Sequence, residues 1–346
     1  MAEQNEAICE RVGSAGVITL NRPHALNALT LSMVRDMRAA LEAWAGDAAI
    51  TRVVVQGSGE KAFCAGGDIR KLVEAGKAGR PEEALAFWRE EYELNALIAA
   101  YPKPYISLID GICMGGGVGV SLHGSHRVAG ERYLFAMPEV GIGFFPDVGA
   151  SYALPRLPGR AGLYLALTGA RLKYADALSL GLATHAAVSA DFDPIREALA
   201  AGEDVDAVLG RHRRAVSEAP LLTLSGLIDR VFDAASVEEI LANLDFEGSE
   251  VADGIAKTIR AKSPTSLRIA YEQVRRGAEL DFREAMRMEF RIVSRILDGR
   301  DFYEGVRAVL IDKDQTPRWD PARLEDVADA DVEAYFAPLG DRELVV

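Results

Sequence analysis

Apolar residues in the first half of the chain follow two alternating periodicities. Short β-branched runs at residues 16–20, 53–55 and 105–109 predict buried strands. Residues 30–44 instead show the three- and four-residue apolar spacing of a helix, with Thr30 as a suitable N-cap. Helices are also expected over residues 68–75 and from Val118 onward. Strands that alternate with helices predict an α/β layered fold.

The pattern changes near residue 200. Residues 187–209 are rich in alanine and acidic side chains and carry no strand signal, and residues 264–297 have strong helical composition and period. We therefore predict a core over residues 1–200 that contains the functional loops. Residues 201–346 are predicted to form a mainly helical region that packs on this core.

Composition and charge narrow the classes of partner. The chain has 346 residues, a hydrophobic content of 49% and a formal net charge of −13. A nucleic-acid partner is not expected, because such binding depends on clustered basic groups that neutralise phosphates. No apolar run reaches the ~20 residues of a membrane span, so no membrane partner is expected. The first six residues carry two acids and no base, which is atypical of a signal peptide.

The cysteines and histidines indicate neither disulfides nor a metal. Cys9, Cys64 and Cys113 are odd in number and fit no zinc spacing, so reduced thiols are expected. His123 and His126 stand three residues apart, but no acid-rich surroundings accompany them. We therefore expect no metal site and a cytoplasmic location.

Two glycine-rich corners follow predicted strands and precede predicted helices. The first is Ala65-Gly66-Gly67-Asp68, and the second contains Gly115-Gly116-Gly117. Glycine lets the backbone approach a ligand closely, and helix N-termini present free N–H groups that suit a developing oxyanion. The alternatives are an ordinary turn capped by Asp68 at the first corner and tight helix–sheet packing at the second. An oxyanion hole needs two converging donors, so the presence of two such corners favours a functional interpretation.

A third segment places two carboxylates among apolar side chains. Glu139 and Asp147 stand eight residues apart, and the glycines and prolines between residues 138 and 149 forbid a continuous helix. The segment can therefore fold back and bring both acids to one cleft. Apolar surroundings raise a carboxyl pKa, which suits acid–base chemistry. The alternative is a surface loop whose acids are solvated.

Taken together, these segments resemble the crotonase superfamily. The residues that carry the resemblance are Asn21-Arg22-Pro23-His24-Ala25-Leu26-Asn27-Ala28-Leu29 and the two glycine corners. The resemblance implies a spiral of ββα units, here followed by the C-terminal helical region, and a possible homo-oligomer. It also implies that an acyl-CoA carbonyl lies between the N–H groups of Gly67 and Gly116.

The resemblance also assigns contacts to CoA. Backbone near Ala25, Leu26, Ala65 and Asp68 is expected to bind it. Arg22, Lys61 and Arg70 could attract its phosphates, although each is as readily explained as a solvated surface charge.

Within this superfamily, the chain is most similar to the 3-hydroxyisobutyryl-CoA hydrolases. The segments that carry this similarity include residues 115–120, 135–148, 165–169, 263–267, 301–308 and 311–314. In those enzymes the carboxylates at the positions of Glu139 and Asp147 are catalytic. The expected reaction is hydrolysis of an acyl-CoA thioester, without a metal or redox cofactor because CoA is part of the substrate. Valine breakdown is the pathway that the similarity suggests.

One position departs from the hydratase pattern. Hydratases place their first catalytic glutamate where this chain has Gly119, whereas the second corresponds to Glu139. Half of the hydratase acid pair is therefore missing, and Asp147 is an added acid. An enoyl-CoA hydratase or isomerase remains an alternative, as does a non-catalytic acyl-CoA binding protein.

Overall fold

The strands lie in the first half of the chain. The computed structural model describes residues 5–216 and 218–346. Its strands are β1 (Ala7–Val12), β2 (Ala15–Leu20), β3 (Arg52–Gly57), β4 (Ala62–Cys64), β5 (Tyr105–Ile109), β6 (Ile112–Met114), β7 (His126–Ala129), β8 (Leu134–Ala136), β9 (Leu172–Lys173) and β10 (His185–Ala186). The runs at residues 16–20, 53–55 and 105–109 are confirmed as β2, β3 and β5.

The described strands form two sheets. The larger has the order β1-β2-β3-β5-β7-β10, and apart from the antiparallel β1–β2 hairpin its neighbours run parallel. The smaller has the order β4-β6-β8-β9, with β4, β6 and β8 parallel. Parallel neighbours end at the same edge of a sheet, so the loops that follow them meet there.

Helices separate the strands and then fill the rest of the chain. They are α1 (Leu31–Gly46), α2 (Ile69–Lys77), α3 (Pro81–Ala99), α4 (Gly116–Gly119), α5 (Ala150–Ala153), α6 (Ala161–Thr168), α7 (Tyr174–Ser179), α8 (Phe192–Ala200), α9 (Val205–Arg211), α10 (Ser225–Phe232), α11 (Val237–Glu247), α12 (Glu250–Arg260), α13 (Pro264–Gly277), α14 (Phe282–Ile296), α15 (Asp301–Val306) and α16 (Asp329–Phe336). Past residue 200, the described residues contain helices and no strand, which confirms the predicted helical region.

Two of the helices that local sequence signals predict can be compared with the structure. In α1 the Thr30 hydroxyl accepts the Met33 N–H, so the predicted cap is confirmed. The helix expected from Val118 onward is instead the short α4, which begins at Gly116 and ends at Gly119. Glycine costs about 1 kcal/mol per residue in a helix interior relative to alanine, and α4 contains three of them. The helix therefore does not continue.

The described residues form two compact units that are discontinuous in sequence. The first runs up to Asp68 and adds Glu93–Ala136 and Arg171–Leu222. The second comprises Ile69–Tyr92, Met137–Ala170 and Thr223–Val346. This grouping differs from the predicted division at residue 200, because residues 69–92 and 137–170 cluster with the C-terminal helices. A change of sequence texture along the chain cannot show such a grouping.

Each unit has its own apolar core. In the first unit, one face of the larger sheet packs against α8 and α9 through Val17, Val54, Ile106, Leu108, Val128, Ile195, Leu199 and Val208. In the second unit, Trp88 stacks on Phe144 at a ring-centroid distance of 5.5 Å, and Phe144 contacts Phe145 and Phe302 at 4.7 and 5.2 Å. Aromatic pairs at these spacings are favourable beyond the area that they bury. This aromatic cluster directly follows the segment that carries Glu139.

The helices and the clusters of polar side chains bear on membrane and metal binding. Among the described residues, no helix has both the length and the apolar character needed to cross a bilayer. Within the same residues, no group of three or more histidine, cysteine, aspartate or glutamate side chains is arranged to hold a metal ion.

Candidate active site

The two glycine corners lie side by side in the first unit. Strands β4 and β6 pair in parallel, with Ala62 opposite Ile112 and Cys64 opposite Cys113. Each corner directly follows its strand, so both leave the same edge of the smaller sheet. The structure thus brings together the two segments that the sequence singled out.

Close backbone contact explains why these corners need glycine. A Cβ on Gly117 would lie 2.3 Å from the Cys64 carbonyl oxygen, which is far too close, whereas a Cβ on Gly66 would make only ordinary contacts, at 3.8 Å from the Gly116 nitrogen. Gly66 and Gly115 also have φ values of +120° and +46°, which side chains with a Cβ rarely adopt. The glycines therefore serve the packing of one corner against the other, as well as any contact with a ligand.

The hydrogen bonds around the first corner orient its backbone. The Leu29 N–H donates to the Gly66 carbonyl at 2.8 Å, and the Asp68 N–H donates to the Leu29 carbonyl at 2.9 Å. Successive backbone groups point to opposite sides, so the Gly67 N–H points away from Leu29. Within residues 5–216 and 218–346, no hydrogen bond is recorded from the N–H of Gly67 or Gly116. Their convergence on one substrate oxygen remains a prediction.

The residues expected to contact CoA belong to the same unit. Leu26 has a φ of +52°, and its carbonyl accepts the Ala65 N–H at 3.0 Å, which joins the loop after β2 to the first corner. Ala25 ends the short 3-10 turn Pro23–Ala25 and precedes Leu26 directly. The Asp68 N–H joins the first corner to the same loop by donating to the Leu29 carbonyl. These four residues therefore share one loop pair, although their contact with CoA stays a prediction.

Arg22 has a structural role in this loop pair. Its guanidinium is buried, lies 2.9 Å from a Glu6 carboxylate oxygen and 3.1 Å from one of Asp68, and donates to the Ala28 carbonyl at 2.6 Å. Buried Asn27 adds bonds from its side chain to the Ser58 and Ala62 carbonyls, both at 2.9 Å. Arg22 is thus neither a solvated surface charge nor available to a phosphate.

Glu139 lies in the second unit, at the start of a tight turn. The 3-10 turn Glu139–Ile142 follows Pro138 and ends at Gly143, whose φ is +70°. The carboxyl is buried, and its Oε2 has no hydrogen-bond partner among the described residues. Burial raises the pKa of Glu139 well above its usual range, and the charge of Asp147 raises it further. Such a carboxyl is poised for proton transfer or for attack on an electrophile.

Asp147 is buried in the same unit and is held by a tyrosine. The Tyr92 hydroxyl donates to Asp147 Oδ2 at 2.8 Å. Burial raises the pKa of Asp147, and the hydrogen bond from Tyr92 opposes part of that rise. Because the charge of Asp147 also raises the Glu139 pKa, the two acids lie within electrostatic range of each other. Both acids are buried, so the solvated-loop alternative does not hold, and their joint action in one cleft stays a prediction.

Sequence reasoning missed three further polar groups here: Glu91, Tyr92 and Glu289. All three are buried, and Glu91 and Tyr92 come from α3, whereas Glu289 comes from α14. The charges of Asp147 and Glu289 add to burial in raising the pKa of Glu91 well above its usual range. Burial, followed by the charge of Asp147, raises the pKa of Glu289 to about 8. A usable signal existed for Glu289, because it stands on the same helical face as apolar Met286 and Val293.

Comparison with known proteins places this geometry in a family. The sequence profile described as enoyl-CoA hydratase/isomerase matches residues 15–336. The chain belongs to the enoyl-CoA hydratase/isomerase family. This confirms the predicted membership of the crotonase superfamily.

Curated relatives match this chain over almost its whole length. Proteins named 3-hydroxyisobutyryl-CoA hydrolase, mitochondrial, from Danio rerio and Rattus norvegicus are both 49% identical to it. These matches cover 98% and 99% of this chain and 91% of each relative. The protein of the same name from Homo sapiens is 46% identical over 98% of this chain and 90% of its own length.

Solved structures with the same fold carry other names. A carnitinyl-CoA dehydratase from Mycobacterium thermoresistibile has a TM-score of 0.94 and 42% identity, and the match covers 99% of each chain. An enoyl-CoA hydratase from Rhodobacter sphaeroides 2.4.1 has a TM-score of 0.93 and 42% identity, covering 99% of this chain and 100% of that one. The predicted crotonase-like α/β fold with a C-terminal helical region is therefore confirmed.

The expectation of a cytoplasmic location is wrong. The curated relatives are named as mitochondrial proteins, which points to that organelle. The prediction relied on reduced cysteines and on the composition of the first residues. A pattern of free thiols argues against an oxidising compartment but does not distinguish among reducing ones.

Proposed function

We propose that this protein hydrolyses the thioester of 3-hydroxyisobutyryl-CoA and releases 3-hydroxyisobutyrate and CoA. Relatives that are 44–49% identical over nearly the whole chain carry the name of that activity. The structural observation that carries the proposal is the burial of two acids, Glu139 and Asp147, in one short glycine- and proline-rich segment. One buried carboxylate is sufficient to start attack on a thioester carbonyl, and Gly119 stands where hydratases have their first catalytic glutamate.

The backbone would stabilise the charge that develops on the carbonyl oxygen. In this proposal the N–H groups of Gly67 and Gly116 donate to that oxygen as the carbon becomes tetrahedral. Loss of one such donor typically raises the barrier by about 3 kcal/mol, or roughly a hundredfold in rate. Ala25, Leu26, Ala65 and Asp68 would bind the CoA portion through the backbone of their loop pair.

Glu139 would act by one of two routes. As a general base, it takes a proton from water, the resulting hydroxide adds to the carbonyl carbon, and the carbon–sulfur bond then breaks to release CoA. As a nucleophile, it attacks the carbonyl carbon itself, expels the CoA thiolate and leaves a mixed anhydride that water hydrolyses. Both routes balance with water alone, so the proposal includes no cofactor.

Asp147 would orient Glu139 or the substrate hydroxyl, or carry a proton. Its bond from the Tyr92 hydroxyl fixes one carboxylate oxygen and leaves the other to act. The elevated pKa of Asp147 suits an acid that gives a proton to the departing thiolate. Homo-oligomer formation and a role in valine breakdown stay predictions.

Enoyl-CoA hydration is the second candidate function. It is favoured by the names of the two solved structures that match at TM-scores of 0.93 and 0.94. Hydration needs water to be held while a proton reaches the α-carbon, and in hydratases two glutamates do this together. Gly119 has no side chain for that purpose. A non-catalytic acyl-CoA binding protein is less consistent with two buried acids of raised pKa.

One assay separates the three alternatives. Purified protein is supplied in parallel with 3-hydroxyisobutyryl-CoA and with crotonyl-CoA, while free thiol and enoyl absorbance are followed. We expect thiol release from the first substrate and little change with the second. Rapid loss of enoyl absorbance without thiol would establish the hydratase, and tight binding without either signal would establish the binding protein. In a single turnover in ¹⁸O-water, label in the Glu139 carboxyl would identify the nucleophilic route.

A further inference from the structure

The turn that carries Asp147 has an unfavourable backbone. We call residues 147–151 the Asp147 turn. Within it, Val148 and Gly149 have φ values of +54° and +89°. A β-branched residue in the left-handed region is uncommon and strained, and it persists only where the surroundings hold it. The position of the Asp147 carboxylate therefore depends on whatever fixes the following residues.

Glu289 makes the most extensive side-chain contact with this turn. Its Oε2 accepts the Gly149 N–H at 2.8 Å, and its Oε1 accepts the Ser151 N–H at 2.9 Å. Gln273 supports the other side of the turn by donating to the Pro146 carbonyl and, at 2.8 Å, to the Ser151 hydroxyl. The Glu289 carboxylate thus spans the turn and fixes two backbone donors at once.

Both Glu289 carboxyl oxygens act as acceptors in these bonds. A glutamine would offer one acceptor oxygen and would point its NH₂ group at the second N–H, which is itself a donor. Glu289 has two donors and Asp147 has the Tyr92 hydroxyl, whereas Glu91 Oε1 has no partner among the described residues.

Glu289 is an energetically unfavourable residue at its buried position. It is fully buried, and no ion pair with it is recorded in residues 5–216 and 218–346. The charge of Asp147 also opposes its ionisation. A buried carboxyl without a cation costs more than a hydrophobic residue of similar volume. The compensating gain is the fixed geometry of the Asp147 turn.

We propose that Glu289 is a positioning residue for Asp147, which it holds through the Gly149 and Ser151 N–H groups. This inference rests on the proposed function, because that function gives Asp147 a role in the hydrolytic reaction. Glu289 itself contacts the backbone of the turn and acts on the chemistry only through Asp147.

The test compares Glu289→Gln with a matched control that removes a carboxylate bound to the same helix. Glu343→Gln removes the carboxylate that pairs with Arg291 of α14 at 2.7 Å, and Glu343 is outside the proposed catalytic machinery. For both variants, kcat and KM for 3-hydroxyisobutyryl-CoA, the pH profile of kcat and the thermal midpoint are measured. For Glu289→Gln we expect kcat to fall at least about tenfold, because misplacement of a catalytic group by ~1 Å can cost a hundredfold.

The pattern of effects distinguishes positioning from general destabilisation. For Glu289→Gln we expect KM to stay within about twofold of wild type and the pH profile to shift, since Asp147 changes its surroundings. For Glu343→Gln we expect a lower thermal midpoint and an unchanged profile. A kcat for Glu289→Gln within threefold of wild type would refute the proposal. So would a loss of kcat in both variants that simply follows their thermal midpoints.

Two further measurements keep the test decisive. If Glu289→Gln does not fold, Glu289→Asp is used, which keeps the charge but is too short to span both N–H groups. Its kcat should also fall at least about tenfold, and a wild-type value would overturn the proposal. The wild-type protein separates the two hypotheses: absence of thiol release refutes the proposed function. In that case, a crystal structure of either variant with an unmoved Asp147 turn would also refute the positioning role.

Discussion

A single methyl group at Gly117 should disturb both glycine corners. In Gly117→Ala the new Cβ would lie 2.3 Å from the Cys64 carbonyl oxygen and 2.9 Å from the Cys64 Cβ. Ordinary van der Waals contact begins at about 3.4 Å, so β4 and α4 must separate by roughly 1 Å. Overpacking of this kind costs about 1–3 kcal/mol. Alanine recovers about 0.5–1 kcal/mol through the lower entropy of its unfolded chain.

The net destabilisation and its effect on activity can both be measured. The balance is a loss of about 0–2.5 kcal/mol, which for a chain of 346 residues lowers the thermal midpoint by up to roughly 4 °C. Because Gly116 is adjacent, the same separation moves a proposed oxyanion donor, and kcat/KM should fall at least about tenfold. Differential scanning calorimetry and thiol release provide the two measurements.

Gly254→Ala is the matched control. A Cβ on Gly254, which lies inside α12, has nothing within 4 Å. The substitution should stabilise the protein by about 0.5–1 kcal/mol and leave activity unchanged. If Gly117→Ala instead matched the control in both stability and activity, the close contact between the corners and its link to catalysis would be refuted.

Other predictions concern the acids and the substrate. Glu139→Gln should lower kcat by about 10²–10⁴ while acyl-CoA binding, measured by calorimetry, persists; Asp147→Asn should also be severely impaired. A near wild-type rate in either variant would remove that residue from the mechanism. Because Gly119 replaces a hydratase glutamate, crotonyl-CoA should be hydrated poorly or not at all, and fast loss of enoyl absorbance would contradict this. Glu91→Gln should weaken the fall in thermal midpoint with rising pH; a slope equal to that of wild type would contradict the raised pKa of Glu91.

The sign of that pH dependence follows from the direction of the pKa shifts. In the folded protein, Glu91 and Glu289 have pKa values above their ordinary value of 4.5. Below pH 4.5 both states hold the protons, and above it the unfolded chain releases them first. Stability therefore falls as the pH rises, up to about 8 for Glu289. A glutamine at residue 91 removes one contributor.

Sequence patterns predicted the elements that depend on neighbours along the chain. The β-branched runs of β2, β3 and β5, the Thr30 cap and the two glycine corners all carry their signals within a few residues. Glu139 and Asp147 were singled out in the same way, and their burial agrees with the apolar flanks of the segment, whereas their catalytic role stays a prediction. The sequence predicted a longer helix from Val118 onward, whereas α4 ends at Gly119. The prediction gave more weight to the apolar residues than to the low helix propensity of the glycines.

The surroundings of Asp147 could not be predicted from local patterns. Its partner Tyr92 is 55 residues away, and Glu289 is 140 residues from Gly149. Only an acidic residue on an apolar helical face indicated that Glu289 is buried, and this does not identify its partner. The grouping of residues 69–92 and 137–170 with the C-terminal helices depends on the same kind of long-range contact.

The bond from Glu289 to the Asp147 turn also sets an order of events during synthesis. The turn is complete about halfway along the chain, yet the carboxylate that fixes it is made 140 residues later than Gly149. At ~5–20 residues per second, translation leaves the turn without this support for roughly 7–28 s. During that interval the strained Val148 backbone is free to relax. In the proposed reaction, Asp147 therefore reaches its working position only after α14 is made, so hydrolytic activity is acquired late in synthesis.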